Sequence, residues 1–168
     1  MEDQKGIMLS ENERDQVWTG LLASEIRENY FADLGAYYQR KQQIMTWLAL
    51  FLSCGAVATA IGSSLPAWLK VLPPIIVAGI SLVSLVEQNQ RRASDCTDLH
   101  FRYNNLAIGY ESLWNNMYSK DSPSRLKELV SKGSELSKSS VSTGIRYSEK
   151  RMEKWQTHVM MHHAVPAS

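Results

Sequence analysis

Charge is missing from one stretch of this chain and scarce in the next. Between Ile44 and Ser64 there is no Asp, Glu, Lys or Arg, and from Trp68 to Val86 the one charge is Lys70. Uncharged runs of about 20 residues, at ~1.5 Å per helical residue, match the hydrocarbon core of a bilayer. They argue against a chain made only of two-faced surface helices. Cysteine is equally sparse. Cys54 and Cys96 stand in no CxxC pair and have no ligand cluster around them. That excludes a disulfide framework and a thiolate metal site, and it fits a reducing compartment. No charge of one sign dominates: 18 Lys and Arg face 17 Asp and Glu, for a net +1. There is thus no general electrostatic case for binding nucleic acid. A glycine-rich phosphate loop, an HExxH pair and a nucleophile elbow are all missing. No enzyme activity, cofactor or metal is therefore expected. Proline is missing between Ile75 and Ser122, so long helices there meet no breaker.

What is there reads as all-α: a two-span transmembrane helical hairpin continued into a cytoplasmic helical bundle. The expected parts are a cytoplasmic N-terminal helix within 1–43, the hairpin at 44–86, a long cytoplasmic helix at 87–119 and a C-terminal helical region at 122–168. The opening residues, MEDQKGIMLSENERD, are polar and do not read as a signal peptide. Arg40 and Lys41 precede the first run and Arg91 and Arg92 follow the second. The positive-inside rule then puts both termini in the cytoplasm. The turn between the runs is too short for a sensing or catalytic domain.

From Asp15 onward Trp18, Leu22, Ile26, Tyr30, Leu34 and Tyr37 recur in steps of three or four. This predicts one helix from about residue 12 that continues into the first span. That span is rich in small residues, and Gly55, Thr59 and Gly62 share a face suited to close helix packing in lipid. In the second run Ser81, Ser84 and Gln88 form a mild polar stripe, the candidate lining of a pore in an assembly. The plainer reading is that such serines bond to their own backbone carbonyls. Glu87, Gln88 and Gln90 at its inner mouth are a candidate polar ring. Beyond it Cys96, Leu99, Tyr103, Leu106, Tyr110, Leu113 and Met117 are spaced 3, 4, 3, 4, 3, 4, the rhythm of helices packed side by side. Their expected partner is the stripe at 18–37, held antiparallel by the hairpin.

Asp121 or Ser122 with Pro123 predicts a fresh helix start. The serine-dense stretch 131–142 and Gly144 predict a weakened helix or a hinge. His158 and His162 are four apart, but no acid or cysteine beside them completes a metal set. Arg151 and His158 have the spacing of the Arg-x(4–6)-His motif and so resemble HEPN ribonucleases, without the acidic or amide residue that usually accompanies the arginine.

The order of parts is an aromatic-paired helix (ENYFADLGAYYQRK), a two-span hairpin and a long helix carrying LHFRYNNLAIGYESLW. Across roughly residues 15–150 it resembles the SLATT family of two-transmembrane effectors associated with nucleotide-second-messenger systems. The resemblance implies an oligomeric effector of anti-phage defence in the bacterial inner membrane. Such an effector stays quiet until a partner releases it and then compromises the bilayer. Its implied partners are the lipid bilayer, further copies of the chain, and a defence-system sensor or nucleotide second-messenger protein; direct nucleic-acid binding is not expected. Two alternatives stand beside it: a membrane-anchored scaffold that recruits a cytoplasmic partner, and a membrane-tethered HEPN-like ribonuclease using Arg151 and His158.

Overall fold

The computed structural model describes residues 9–61, 74–82 and 88–164. All its regular structure is helical. Helix α1 is Glu11–Ile61, α2 covers residues 74–82, α3 is Asn89–Asn115, α4 is Ser122–Ser142 and α5 is Glu149–Ala164. The chain divides into two units. One comprises Met1–Leu34 with Asp95–Ser168, the other Gly35–Ser94, so the boundary falls inside both α1 and α3.

α1 starts at a capping box. The Ser10 backbone N–H donates to Glu13 Oε2 at 2.8 Å, and the Glu13 N–H reaches back to Ser10 Oγ at 3.4 Å. This satisfies donors that a helix start leaves open. The helix then runs unbroken to Ile61, as the periodicity predicts.

In the first unit α3 lies antiparallel to α1. Gly20 meets Tyr110, Glu28 takes a hydrogen bond from Asn104, and Phe31 stacks on Tyr103 at 5.6 Å and 9°. The predicted α3 stripe is the core: Cys96, Leu99, Tyr103, Leu106, Tyr110 and Leu113 are all buried. Met117 is half-buried and falls past the end of α3. The α1 stripe needs correcting. Ile26, Tyr30 and Leu34 are buried, but Val17, Leu21 and Phe31 are too, while Trp18 and Leu22 are half-buried. The reason is that this part of α1 is covered from more than one side: Phe31 and Gly20 face α3, while Tyr30 and Asp33 meet the loop before α5 and α5 itself. One periodic stripe cannot describe a helix with two buried faces.

α4 packs antiparallel on α3, with Leu129 against Gly109 and Arg125 donating to Ser112 Oγ at 3.1 Å. The turn between them is tied by fully buried Ser122, whose hydroxyl donates to the Asn116 carbonyl at 2.9 Å. Asp121 is the N-cap residue and proline enters the first turn. The serine-rich half of α4 stays helical to Ser142. Ser140 and Ser142 donate back to the carbonyls of Ser137 and Ser139. The chain then leaves the helix at Gly144, whose φ of +63° suits a residue without a side chain.

In the second unit Tyr38 and Ala93 are buried, and the Arg92 guanidinium lies 5.9 Å from the Tyr38 ring centroid. A cleft of about 490 Å³ is lined from α1 by Met45, Ala49 and Ser53 and from α2 by Val77, Ile80 and Ser81, so these helices lie side by side. With no proline between Ile75 and Ser122 the second run is free to pass straight into α3, but the backbone breaks at Gln88. Gln88 has φ +46°, the left-handed region, which a right-handed helix of L residues cannot pass through, and α3 begins afresh at Asn89.

The all-helical expectation stands. The two spans do not appear as such: among the described residues no helix is long and apolar enough to cross a membrane. Residues 62–73 and 83–87 of the expected hairpin lie outside the described residues.

Candidate functional site

Two regions have the makings of function, one in each unit. In the second unit the notable property is inverted burial. The first unit buries the seam between α1 and α3 and leaves apolar side chains such as Phe101, Ile108 and Val141 exposed singly around it. Here Ile44, Trp47, Leu48, Leu50 and Phe51 on α1, and Ile75, Ile76 and Leu82 on α2, are exposed, Phe51 to 73% and Leu82 to 66%. At 100° per residue, Leu50 falls on a different side of α1 from Ile44 and Phe51, so the exposure is not one narrow stripe. The hydroxyls of this region are turned inward onto their own helices. Thr46 donates to the Gln42 carbonyl at 2.9 Å, Ser53 to Ala49 at 2.7 Å and Ser81 to Val77 at 2.9 Å. Each donor is thereby satisfied without water.

The predicted site residues divide accordingly. Ser81 is exposed but spends its proton on its own helix, as the plainer reading of that stripe has it. Gln88 is exposed and sits in a turn rather than on a helical stripe. Gly55 and Thr59 belong to α1, but their surroundings, like Gly62 and Ser84 altogether, lie outside what the structure describes. The packing candidates Leu99, Tyr103, Leu106, Tyr110 and Leu113 are brought together as one buried seam.

The second region is the polar seam between α1 and α5. α5 buries one residue, Val159. Much of its attachment is ionic. Arg151 Nη1 lies 2.9 Å from Asp33 Oδ1, Lys154 Nζ 3.6 Å from Oδ2, and the Trp155 indole N–H donates to Oδ2 at 3.4 Å. Burial alone would raise the Asp33 pKa, but Arg151, the indole and Lys154 together hold it below its ordinary value. At the other end His163 Nε2 is 2.7 Å from Glu25 Oε2, with its ring edge-on to Trp18. The sequence reading missed Glu25 and His163, which are 138 positions apart and share no local motif. A weaker signal was available: Glu25 and Asp33 stand eight apart on a helix whose expected partner, the 96–117 stripe, left its other faces unaccounted for.

Arg151 and His158 are not assembled into a reactive pair. Arg151 is engaged with Asp33, and His158 stands edge-on to Trp155 at 5.3 Å. His162 and His163 have adjacent rings, and among the described residues no group of three His, Cys, Asp or Glu could hold a metal ion. Comparison with family models, with curated proteins and with solved structures finds no match to the chain.

Proposed function

We propose that this chain is an oligomeric inner-membrane effector of anti-phage defence, whose apolar run over residues 44–86 enters the bilayer as a hairpin and permeabilises it when the protein is activated. One observation supports the membrane part most directly: the eight large apolar side chains left exposed within residues 44–51 of α1 and on α2. Burying such a side chain is worth about 1.5–3 kcal/mol, so leaving eight of them half-wet forfeits on the order of 10 kcal/mol. That is comparable to the whole stability of a typical domain, about 5–15 kcal/mol. Lipid is the cover that fits. No charge interrupts Ile44–Ser64, the hydroxyls of Thr46, Ser53 and Ser81 are satisfied within their own helices, and pairs of arginine and lysine flank the run.

The permeabilising part follows from size. One hairpin cannot enclose an aqueous path, so a pore requires several copies. The defence assignment rests on the resemblance to SLATT effectors. A scaffold function is the second reading, favoured by an open groove of about 630 Å³ between α3 and α4 that carries Arg102, Arg125, Lys132, Glu128 and Glu135. The ion pair with Asp33 ties Arg151 to holding α5 on α1, which speaks against a ribonuclease.

The test is membrane potential and dye entry in bacteria expressing the chain, with Ser84→Leu alongside and the membrane fraction assayed for the protein. Rapid depolarisation by the parent and none by the variant supports a pore built with the second run. Protein in the membrane without depolarisation, even with candidate partner proteins co-expressed, points to the scaffold. Recovery of the chain in the soluble fraction overturns both membrane readings.

A further inference from the structure

The first unit holds a cleft of about 580 Å³ where α1, α3, the end of α4 and α5 converge. It lies within the ~300–1,000 Å³ range of small-molecule sites. Its walls are aromatic. Phe31 and Tyr103 lie stacked and buried, Tyr30 is edge-on to Phe31, and Tyr147 stands at the rim with its ring 6.1 Å from that of Tyr30 and 63% exposed. Arg27 is the one charged residue among those lining it.

Arg27 differs from Arg151 and Arg125 and, like Arg92 on Tyr38, lies over an aromatic ring. Arg151 is paired with Asp33, and Arg125 donates to Ser112. The Arg27 guanidinium instead lies 5.7 Å from the Tyr103 ring centroid, and among the described residues no carboxylate comes within ion-pair distance of it and no acceptor takes its N–H groups. A guanidinium lying over a ring has a favourable face contact and keeps its five in-plane donors available for a planar anion. The nearby Ser137 hydroxyl lines the same cleft. A second cleft of about 560 Å³ shares Ala23, Arg27 and Ser137 with the first, so the cation sits where the two meet.

We infer that this cleft binds a small molecule in which an aromatic ring carries an anionic group, the ring against Tyr30 and Tyr147 and the anion on Arg27. The ring gains apolar burial and edge or face contacts that a compact anion cannot make. The anion gains a charge-assisted, two-pronged contact that a neutral ring cannot make. A nucleoside monophosphate and an aromatic carboxylate both carry this chemistry. The inference concerns the first unit alone and does not depend on the membrane reading.

The experiment is titration of the purified full chain in mild detergent, by calorimetry and ligand-observed NMR, with AMP and indole-3-acetate. Adenosine and inorganic phosphate test ring and charge separately. The expected result is saturable binding of one or both aromatic anions, at least about tenfold weaker binding of adenosine and phosphate, and a similar loss in Arg27→Gln. AMP alone identifies a nucleotide site, and indole-3-acetate alone an aromatic carboxylate site. Tyr147→Ser, at an exposed position with little bearing on folding, is expected to weaken binding several-fold. Circular dichroism confirms that both variants fold. Failure of both aromatic anions to bind overturns the inference. So does adenosine binding as well as AMP, or binding unchanged in a folded Arg27→Gln protein.

Discussion

Gly20 offers a test in which the same substitution at two glycines has opposite consequences. A Cβ placed on Gly20 would stand 2.5 Å from Tyr110 Cζ, 2.6 Å from Cε1 and 3.0 Å from Cε2. Tyr110 is buried on the α3 seam, and its ring cannot swing clear without disturbing the packing around it. Overpacking of a tight core costs about 1–3 kcal/mol, and three contacts this short put Gly20→Ala toward the upper end. The change also gains about 1 kcal/mol of helix propensity. The net is a loss of ~1–2 kcal/mol. Gly133 lies inside α4, and a Cβ there meets Leu106 Cδ2 at 3.5 Å, an ordinary contact. Gly133→Ala therefore keeps the propensity gain, about 1 kcal/mol of stabilisation. At ~2–4 °C per kcal/mol for a chain of this size, the midpoints should part in opposite directions, down by ~2–8 °C for Gly20→Ala and up by ~2–4 °C for Gly133→Ala. Intrinsic tryptophan fluorescence on heating the full chain in detergent reads this directly. Tyr110→Leu removes the obstructing ring, so Gly20→Ala should cost less in that background than in the parent, a coupling visible in a double-mutant cycle. A rise in midpoint for Gly20→Ala, or strict additivity with Tyr110→Leu, would refute the close approach of α1 and α3 at this point.

Leu99, fully buried at the centre of the seam, should cost about 2–5 kcal/mol on truncation to alanine, read as a lower unfolding midpoint, whereas Ile108→Ala on the exposed face of the same helix should stay within about 0.5 kcal/mol. The Cys96 thiol, pushed up to about 12 by burial and by the neighbouring Asp95, should resist maleimide at pH 8 in a Cys54→Ser chain and react only once the protein is unfolded; prompt labelling of the native chain would contradict its placement. Asp33 has its pKa held below its ordinary 3.8, so its ion pairs stabilise the α5 attachment above that pH and the contribution is lost as pH falls through the lower folded value. Trp155 fluorescence should therefore report α5 loosening in acid, and Asp33→Asn, already deprived of the charge, should weaken the attachment at neutral pH and flatten that part of the acid response.

How much was legible can be followed along α3. Its 3-4 spacing from Cys96 to Leu113 marked the buried seam residue by residue, because a helix packed on one main partner repeats its contacts every three or four positions. The same logic slipped on α1, where Trp18, Leu22 and Tyr37 read as core while Val17, Leu21 and Tyr38 fill it. A helix wrapped on two sides has two overlapping apolar stripes, and steps of three or four fit either. The Ser10–Glu13 capping box stood in plain view as S-x-x-E and went unread. The break at Gln88 carried no marker, since glutamine favours a helix and only the backbone geometry shows the positive φ. Within the apolar runs the small-residue and serine stripes were legible as patterns. What they do was not, because a pore and a packed hairpin call on the same residues.

Local spacing and composition by themselves determined that this chain is all-helical, where α1 and α4 begin, which face of α3 is core, and that one stretch is too apolar and uncharged to match the rest. These are properties of neighbours three or four apart, and chain connectivity enforces them before any folding. Tertiary structure alone decided that Asp33 takes Arg151, Lys154 and Trp155, that Glu25 takes His163, and that Arg27 lies over the Tyr103 ring. Those partners lie more than 70 residues apart in the chain. Only the packing of α3 and α5 on α1 brings their charges within a few ångströms, where Coulomb attraction and hydrogen bonding act.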